Sequence, residues 1–261
     1  MTLESLSLFV GTGKCNAHCL HCAGKVHRRY APIEDGIIDE RLIRKTLEEC
    51  YEKGARSLSI SSSGEPTLSP LSVTKALEIV NEYAEKGKVY SPINLYSNGI
   101  RIGEDKEFCD NYLNLWRTLG LNWIYITIHS VDEMENARCY GIDRYPKLET
   151  VIERIHNSGL KMRANLVLSK ETVNSFGKFV YTIERLREVG ADKIAAWCIR
   201  NNEDKVDVKL SPESVDLEKM EQYSSGKEYL RILTEKHRGV YSEGRKLTLF
   251  PDGTLSNTWC N

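Results

Sequence analysis

Between Ser57 and Ser61 the chain alternates Leu58 and Ile60 with three serines, a period of two that marks a strand with one apolar and one polar face. The alternation returns at 123–129, where Ile124, Ile126 and Ile128 oppose Tyr125, Thr127 and His129. Between such stretches the apolar residues recur every three or four positions instead. Leu42, Ile43, Leu47, Cys50 and Tyr51 form one helical stripe, with Asp39 placed to cap it and Gly54 to stop it. Val73, Ala76, Leu77, Val80 and Ala84 form the next, ending at Gly87, and Phe108, Tyr112, Leu115 and Leu119 another. Leu148, Val151, Ile152 and Ile155 stop at Gly159, and Phe176, Phe179, Val180, Ile183 and Leu186 stop at Gly190.

Strands are therefore expected at 6–10, 57–61, 93–96, 123–129, 162–168 and 193–199, alternating with helices. The repeat has the size of a βαβ unit, so the pattern predicts an α/β fold with a parallel sheet and right-handed crossovers. A flat sheet covered on both faces would read as continuous apolar runs. The polar alternate positions predict instead a curled sheet whose concave side lines a wet cavity. Beyond the sixth strand, Asn201-Asn-Glu-Asp-Lys is a charged break, 211–236 reads as helical, and 246–250 with 254–259 reads as a hairpin about Pro251-Asp252-Gly253. The expected organisation is a barrel of six βα units over 1–200 and a helix-plus-hairpin extension over 201–261 that covers it.

At 261 residues the chain is long enough for one large α/β domain. A formal net charge of −1 and the lack of a long basic block argue against a nucleic-acid partner. No apolar run is long enough to span a bilayer and the first residues lack the features of a signal peptide, so no membrane partner and a cytoplasmic location are expected. Of eight cysteines, Cys50, Cys109, Cys139, Cys198 and Cys260 are scattered, and Cys50 falls on a helical stripe as a core residue.

The other three stand together in Gly11-Thr-Gly-Lys-Cys15-Asn-Ala-His-Cys19-Leu-His-Cys22, directly after the first strand. Thiolate sulfur selects zinc, copper(I) or iron–sulfur clusters. A zinc site completed by His18 or His27 is one reading, three unrelated core cysteines another. A third is a cluster with one position left open for something else to bind.

The CxxxCxxC spacing resembles the signature of the radical S-adenosylmethionine (radical SAM) enzymes. The resemblance extends over roughly Leu3 to Arg200 and implies a partial (β/α)6 TIM-like barrel. It implies one [4Fe–4S] cluster on Cys15, Cys19 and Cys22, with a fourth iron that takes the amino and carboxylate groups of S-adenosylmethionine. His21 stands where the family usually carries an aromatic residue. After the second strand, Ser63-Gly64-Glu65-Pro66 resembles the family's Gly-Gly-Glu-Pro turn, which implies that Ser63, Gly64 and Glu65 hold the S-adenosylmethionine ammonium group. Ser97-Asn98-Gly99 after the third strand is similar to a Thr-Asn-Gly found there. Thr127 and Arg138 resemble a Ser…Arg pair that contacts the ribose and the methionine carboxylate. Each of the two turns could equally be plain strand-ending structure.

On the fifth strand Arg163 and Asn165 share the face opposite Met162, Ala164 and Leu166. Buried polar groups need partners, so Arg163 and Asn165 are read either as ligand contacts, Asn165 toward the cofactor, or as a network inside the barrel. Tyr96, Tyr125, His129 and Trp197 are expected to look inward as well, with His129 more in keeping with the core than with catalysis. The tail resembles cysteine-rich extensions that bind auxiliary clusters, yet only Cys260 follows the hairpin, so a single cluster is expected unless Cys198 and Cys260 converge.

The activity so implied is reductive cleavage of S-adenosylmethionine to methionine and a 5′-deoxyadenosyl radical, which abstracts hydrogen from a small-molecule or peptide substrate. Flavodoxin or ferredoxin would supply the electron. An RNA base as substrate is an alternative, and so is a protein of another class, a zinc or Fe–S regulator without turnover.

Overall fold

The computed structural model describes residues 2–19, 21–22, 28, 30–199, 205–234 and 245–257. Its centre is a parallel run of six strands, side by side in chain order: β1 (Ser5–Phe9), β2 (Ser57–Ser61), β3 (Ile93–Ser97), β4 (Trp123–Ile128), β5 (Lys161–Leu168) and β6 (Lys193–Cys198). The helices α1 (Glu40–Glu52), α2 (Pro70–Glu85), α6 (Glu133–Tyr140), α7 (Leu148–Asn157) and α8 (Phe176–Glu188) lie in the connections. The α/β architecture expected from the alternating periods is the one the chain adopts. Asp39 caps α1 as expected, its carboxylate accepting from the Leu42 N–H at 2.9 Å.

The strands carry one apolar face and one mostly polar face, least so in β6, where Ala195 and Trp197 share the open side with Lys193. Leu6, Leu8, Leu58, Ile60, Leu95 and Ile126 turn toward the helices and are almost wholly buried in a single core. The opposite, open face carries Ser7, Ser59 and Asn94 in one stretch and Tyr96, Tyr125 and Arg163 in register one layer further along. Burying the first set is worth roughly 1.5–3 kcal/mol per side chain, which fixes strand register and therefore fixes which residues the open face presents.

Three strands lie beyond these six, two of them the expected hairpin and one, β7, not expected. The stretch 211–236 is not one helix. α9 (Ser214–Ser224) stops before Gly226, whose φ of +77° suits glycine, and β7 (Leu230–Leu233) follows, parallel to β6. Buried Leu230 and Ile232 flank exposed Arg231, a period of two too short to stand out from the helical pattern beside it, and pairing satisfies the polar edge that β6 would otherwise leave open. The hairpin forms as β8 (Lys246–Leu249) and β9 (Leu255–Ser256), but β8 also pairs parallel with β1, so the order is β7-β6-β5-β4-β3-β2-β1-β8-β9. The expected hairpin end at 258–259 lies outside the described residues.

The segment between β3 and β4 differs in detail. After α3 (Ile100–Glu104) come α4 (Lys106–Phe108), a π turn at Cys109–Leu113 and α5 (Asn114–Thr118). The widened turn shifts the inward face by one residue, so Leu113 and Trp116 are fully buried while Leu115, on the expected stripe, is 40% exposed. Trp116 also donates its indole N–H to Thr74 Oγ1 of α2 at 2.9 Å. Trp116→Ala is expected to destabilise the fold by about 3–5 kcal/mol, read as a lower urea midpoint at unchanged m-value.

Candidate active site

The C-terminal ends of β1, β2 and β3 lie side by side along one rim of the sheet. β1 runs through Val10, whose N–H bonds the Ser61 carbonyl at 2.9 Å, directly into the cysteine loop, so the loop springs from a strand paired on both sides. The loop then passes under the turn after β2. A Cβ on Gly64 would stand 2.3 Å from the Gly13 carbonyl oxygen and 2.1 Å from that of Lys14, so only glycine allows this crossing. The next residue seals it, Glu65 N–H donating to the Lys14 carbonyl at 2.8 Å. On the return, half-buried Asp35 fastens the chain to the first turn of α2 by accepting from the N–H groups of Leu71 and Ser72 at 3.0 and 2.9 Å.

Glu65 is buried and knits β2 to β3. Its carboxylate accepts from Thr67 N–H at 3.1 Å, Thr67 Oγ1 at 2.8 Å, Ser97 Oγ at 2.8 Å and Asn98 N–H at 2.7 Å. Burial pushes its pKa up and these donors oppose the shift. Asn98 carries the link onward: its amide donates to Asn16 Oδ1 at 2.7 Å and stands 3.9 Å from Cys15 Sγ. On the far side of the loop, the Arg28 guanidinium bonds the Ser63 carbonyl at 3.2 Å and lies 3.9 Å from Cys22 Sγ. The loop also rests on α6, with the His18 N–H on the Tyr140 carbonyl at 2.7 Å.

Cys15, Cys19 and Cys22 are all half-buried, and none is in a disulfide. Burial pushes Cys15 up, and it drives Cys19 up to about 12 with the neighbouring Cys22 and Cys15 sulfurs adding to the effect. Cys19 feels both of the other sulfurs and Cys15 feels Cys22, so the three donors lie close to one another. Among the described residues no three Cys, His, Asp or Glu side chains converge tightly enough for a single metal ion. A cubane spreads its ligands over separate iron corners, and three neighbouring thiols flanked by N–H donors suit that donor set.

The remaining expected site residues are arranged as follows. Ser63 Oγ is buried without a partner. His21 Nε2 lies 3.9 Å from a Glu171 carboxylate oxygen. Thr127 and Asn165 are register partners on the open face, the Thr127 carbonyl accepting from the Tyr140 hydroxyl at 2.6 Å and Asn165 Nδ2 buried with no partner. Arg138 stands apart, exposed on α6 and donating to the Glu171 carbonyl at 3.2 Å. Cys198 is buried, and His27 and Cys260 lie outside the described residues. Sequence reasoning passed over Arg28, Asn16 and Lys246. A cation six residues past the third cysteine was visible for Arg28, but nothing local marks Lys246, which reaches the open face only because β8 docks on β1.

Residues 9–183 match the family model of the radical SAM superfamily. That is well over half of the chain, and the chain belongs to this superfamily. The family binds a [4Fe–4S] cluster and S-adenosylmethionine. GTP 3′,8-cyclase of Pasteurella multocida (strain Pm70) is 26% identical over 177 residues, 66% of this chain and 48% of that protein. SuiB of Streptococcus suis bound to its precursor peptide SuiA has a TM-score of 0.68 at 15% identity, over 98% of this chain and 60% of SuiB. SuiB bound to S-adenosylmethionine gives 0.63 at 14% identity, over 98% and 58%. The chain thus spans about half of the curated relative and about three-fifths of SuiB. The SuiB likeness is one of fold.

Two predictions follow from this rim of the sheet. Gly64→Ala forces the cysteine loop off the turn and is expected to cut iron bound per chain severalfold after anaerobic reconstitution, while far-UV circular dichroism stays unchanged. The second concerns His129, which burial, aided by His21, holds down at about 4. The unfolded chain binds the His129 proton from its ordinary 6.5 downward and the folded chain only near 4, so stability is lost as pH falls through that window. The loss is on the order of 3 kcal/mol. Urea midpoints should fall between pH 7 and pH 4.5, and His129→Phe should flatten the fall.

Proposed function

We propose that the chain is a radical SAM enzyme that reductively cleaves S-adenosylmethionine and abstracts hydrogen from a small-molecule or peptide substrate. The observation that carries this reading is the group of three neighbouring thiols on a loop locked beneath the Gly64–Glu65 turn. When bound, the cluster and S-adenosylmethionine would supply a reducing electron and a 5′-deoxyadenosyl radical.

The chain's own residues would do the rest. Cys15, Cys19 and Cys22 would hold the irons as thiolates, so loading must expel the protons that burial favours on Cys15 and Cys19. Asn98 and Arg28 direct N–H groups at the outer sulfurs, where such contacts tune a cluster's potential. Ser63, with an orphaned buried hydroxyl beside the loop, offers a polar contact to the methionine end. Glu65 acts by fixing the turn, since both its oxygens are already engaged within the chain. Thr127 offers a polar group to the nucleoside from the open face, and His21 borders it; Asn165, expected toward the cofactor, has its Oδ1 held by Arg163 and turns its remaining donor to the substrate. Flavodoxin or ferredoxin would serve as electron donor.

A peptide substrate is supported by the fold shared with SuiB, whose structure holds a precursor peptide; a small molecule by the sequence likeness to a GTP cyclase. The test is anaerobic incubation of reconstituted protein with dithionite and S-adenosylmethionine, followed by detection of 5′-deoxyadenosine. Product is expected from the wild type and not from Cys15→Ala, Cys19→Ala or Cys22→Ala. Equal product from any of these variants refutes the assignment.

A further inference from the structure

We propose that the open face of the sheet holds a subsite for an oxyanion, a carboxylate or phosphate group of the substrate, with Arg163 as its anchor. The inference rests on the enzymatic reading above and adds the chemical class of what that enzyme acts on.

Strand register supplies the first argument. On the open-face positions of β1 to β8 the chain places five cations, Lys161, Arg163, Lys193, Arg231 and Lys246, and among the described residues no Asp or Glu. A net charge near zero for the whole chain makes this one-sidedness a local property. Lys246 is buried, and its Nζ lies 6.0 Å from the Tyr96 ring centre. β8 and β3 are separated by β1 and β2, about 14 Å on a flat sheet, so this closeness reflects curling that gathers charge from distant strands.

Arg163 supplies the second. It is half-buried, its guanidinium carbon 3.3 Å from the Tyr125 ring centre and its Nε donating to Asn165 Oδ1 at 2.9 Å. A side chain stacked and bonded this way is held in one orientation, and it has no carboxylate partner among the described residues. Arginine has five N–H donors in a planar fork that fits an oxyanion in two-point contact. The same Asn165 leaves Nδ2, a donor, buried and without a partner, so an oxyanion accepting from both would complete two unfinished sets of contacts. The field is felt by its neighbour as well: Tyr96 titrates below its ordinary value despite burial, because Lys246 and Arg163 favour its anion.

Depth supplies the third. Arg163 lies in register with Tyr125, one layer further from the cysteine loop than Asn165 and Thr127. A layer of two residues is about 7 Å. The substrate would thus carry its negative group between Arg163 and Asn165, up to that far below the level at which Thr127 meets the cofactor, with its reacting carbon above.

The test uses reconstituted holoprotein with S-adenosylmethionine present, titrated calorimetrically with glutarate and with inorganic phosphate at constant ionic strength. Saturable binding of one probe is expected, and which probe binds says whether the group is a carboxylate or a phosphate. Arg163→Gln should weaken it at least tenfold, Arg163→Lys by only a few-fold, and S-adenosylmethionine affinity should be unchanged in both. Absence of saturable binding in the wild type, or equal binding in Arg163→Gln, overturns the subsite. Loss of S-adenosylmethionine affinity in Arg163→Gln overturns it too, by making Arg163 a cofactor contact. Failure to form 5′-deoxyadenosine is read separately, and would sink the enzymatic reading while the titration still decides whether the anion site exists.

Discussion

The crossing of Gly64 over the carbonyls of Gly13 and Lys14 is the contact on which the site depends. Two backbones this close leave no volume for a side chain, and the Glu65-to-Lys14 hydrogen bond holds them there. The cysteine loop is therefore not a free loop carrying three thiols. It is a strand extension clamped to the rim of the sheet, and the precision that a multi-metal donor set requires comes from the parallel strands beneath it.

Glu65 illustrates how a rim is built in a parallel sheet. The strand ends leave N–H groups and hydroxyls without ladder partners, and a single buried carboxylate gathers four of them from β3 and from its own turn. Burial alone would favour the neutral acid, and the converging donors work against it. The resemblance implied a ligand for the ammonium group at this position; the geometry gives the residue a structural duty first. Asn98 extends the same logic, bonding Asn16 with its amide and receiving the Tyr145 hydroxyl on its carbonyl at 2.8 Å.

The open face follows a different rule. Its polar positions are set by apolar partners on the opposite face, since burying Ile124 and Met162 compels Tyr125 and Arg163 to look the other way. Charge is thereby brought onto the open face. The π turn before β4 does comparable work on the helical side, seating Trp116 instead of Leu115 in the core and so fixing how α5 packs on α2.

Alternation and helical spacing in the sequence determined the six parallel strands, the faces of most helices, the cap at Asp39 and the polarity of the open face, because each depends on neighbours within a few residues. The spacing of Cys15, Cys19 and Cys22 and the Gly64–Glu65 pair were local signals too. Tertiary structure alone decided what depends on distant partners. β7 exists because β6 offers an edge, Lys246 joins Arg163 because β8 docks on β1, and Glu65 is saturated because β3 ends beside it. No window of sequence contains both members of such a pair, so packing had to bring them together before either could be read.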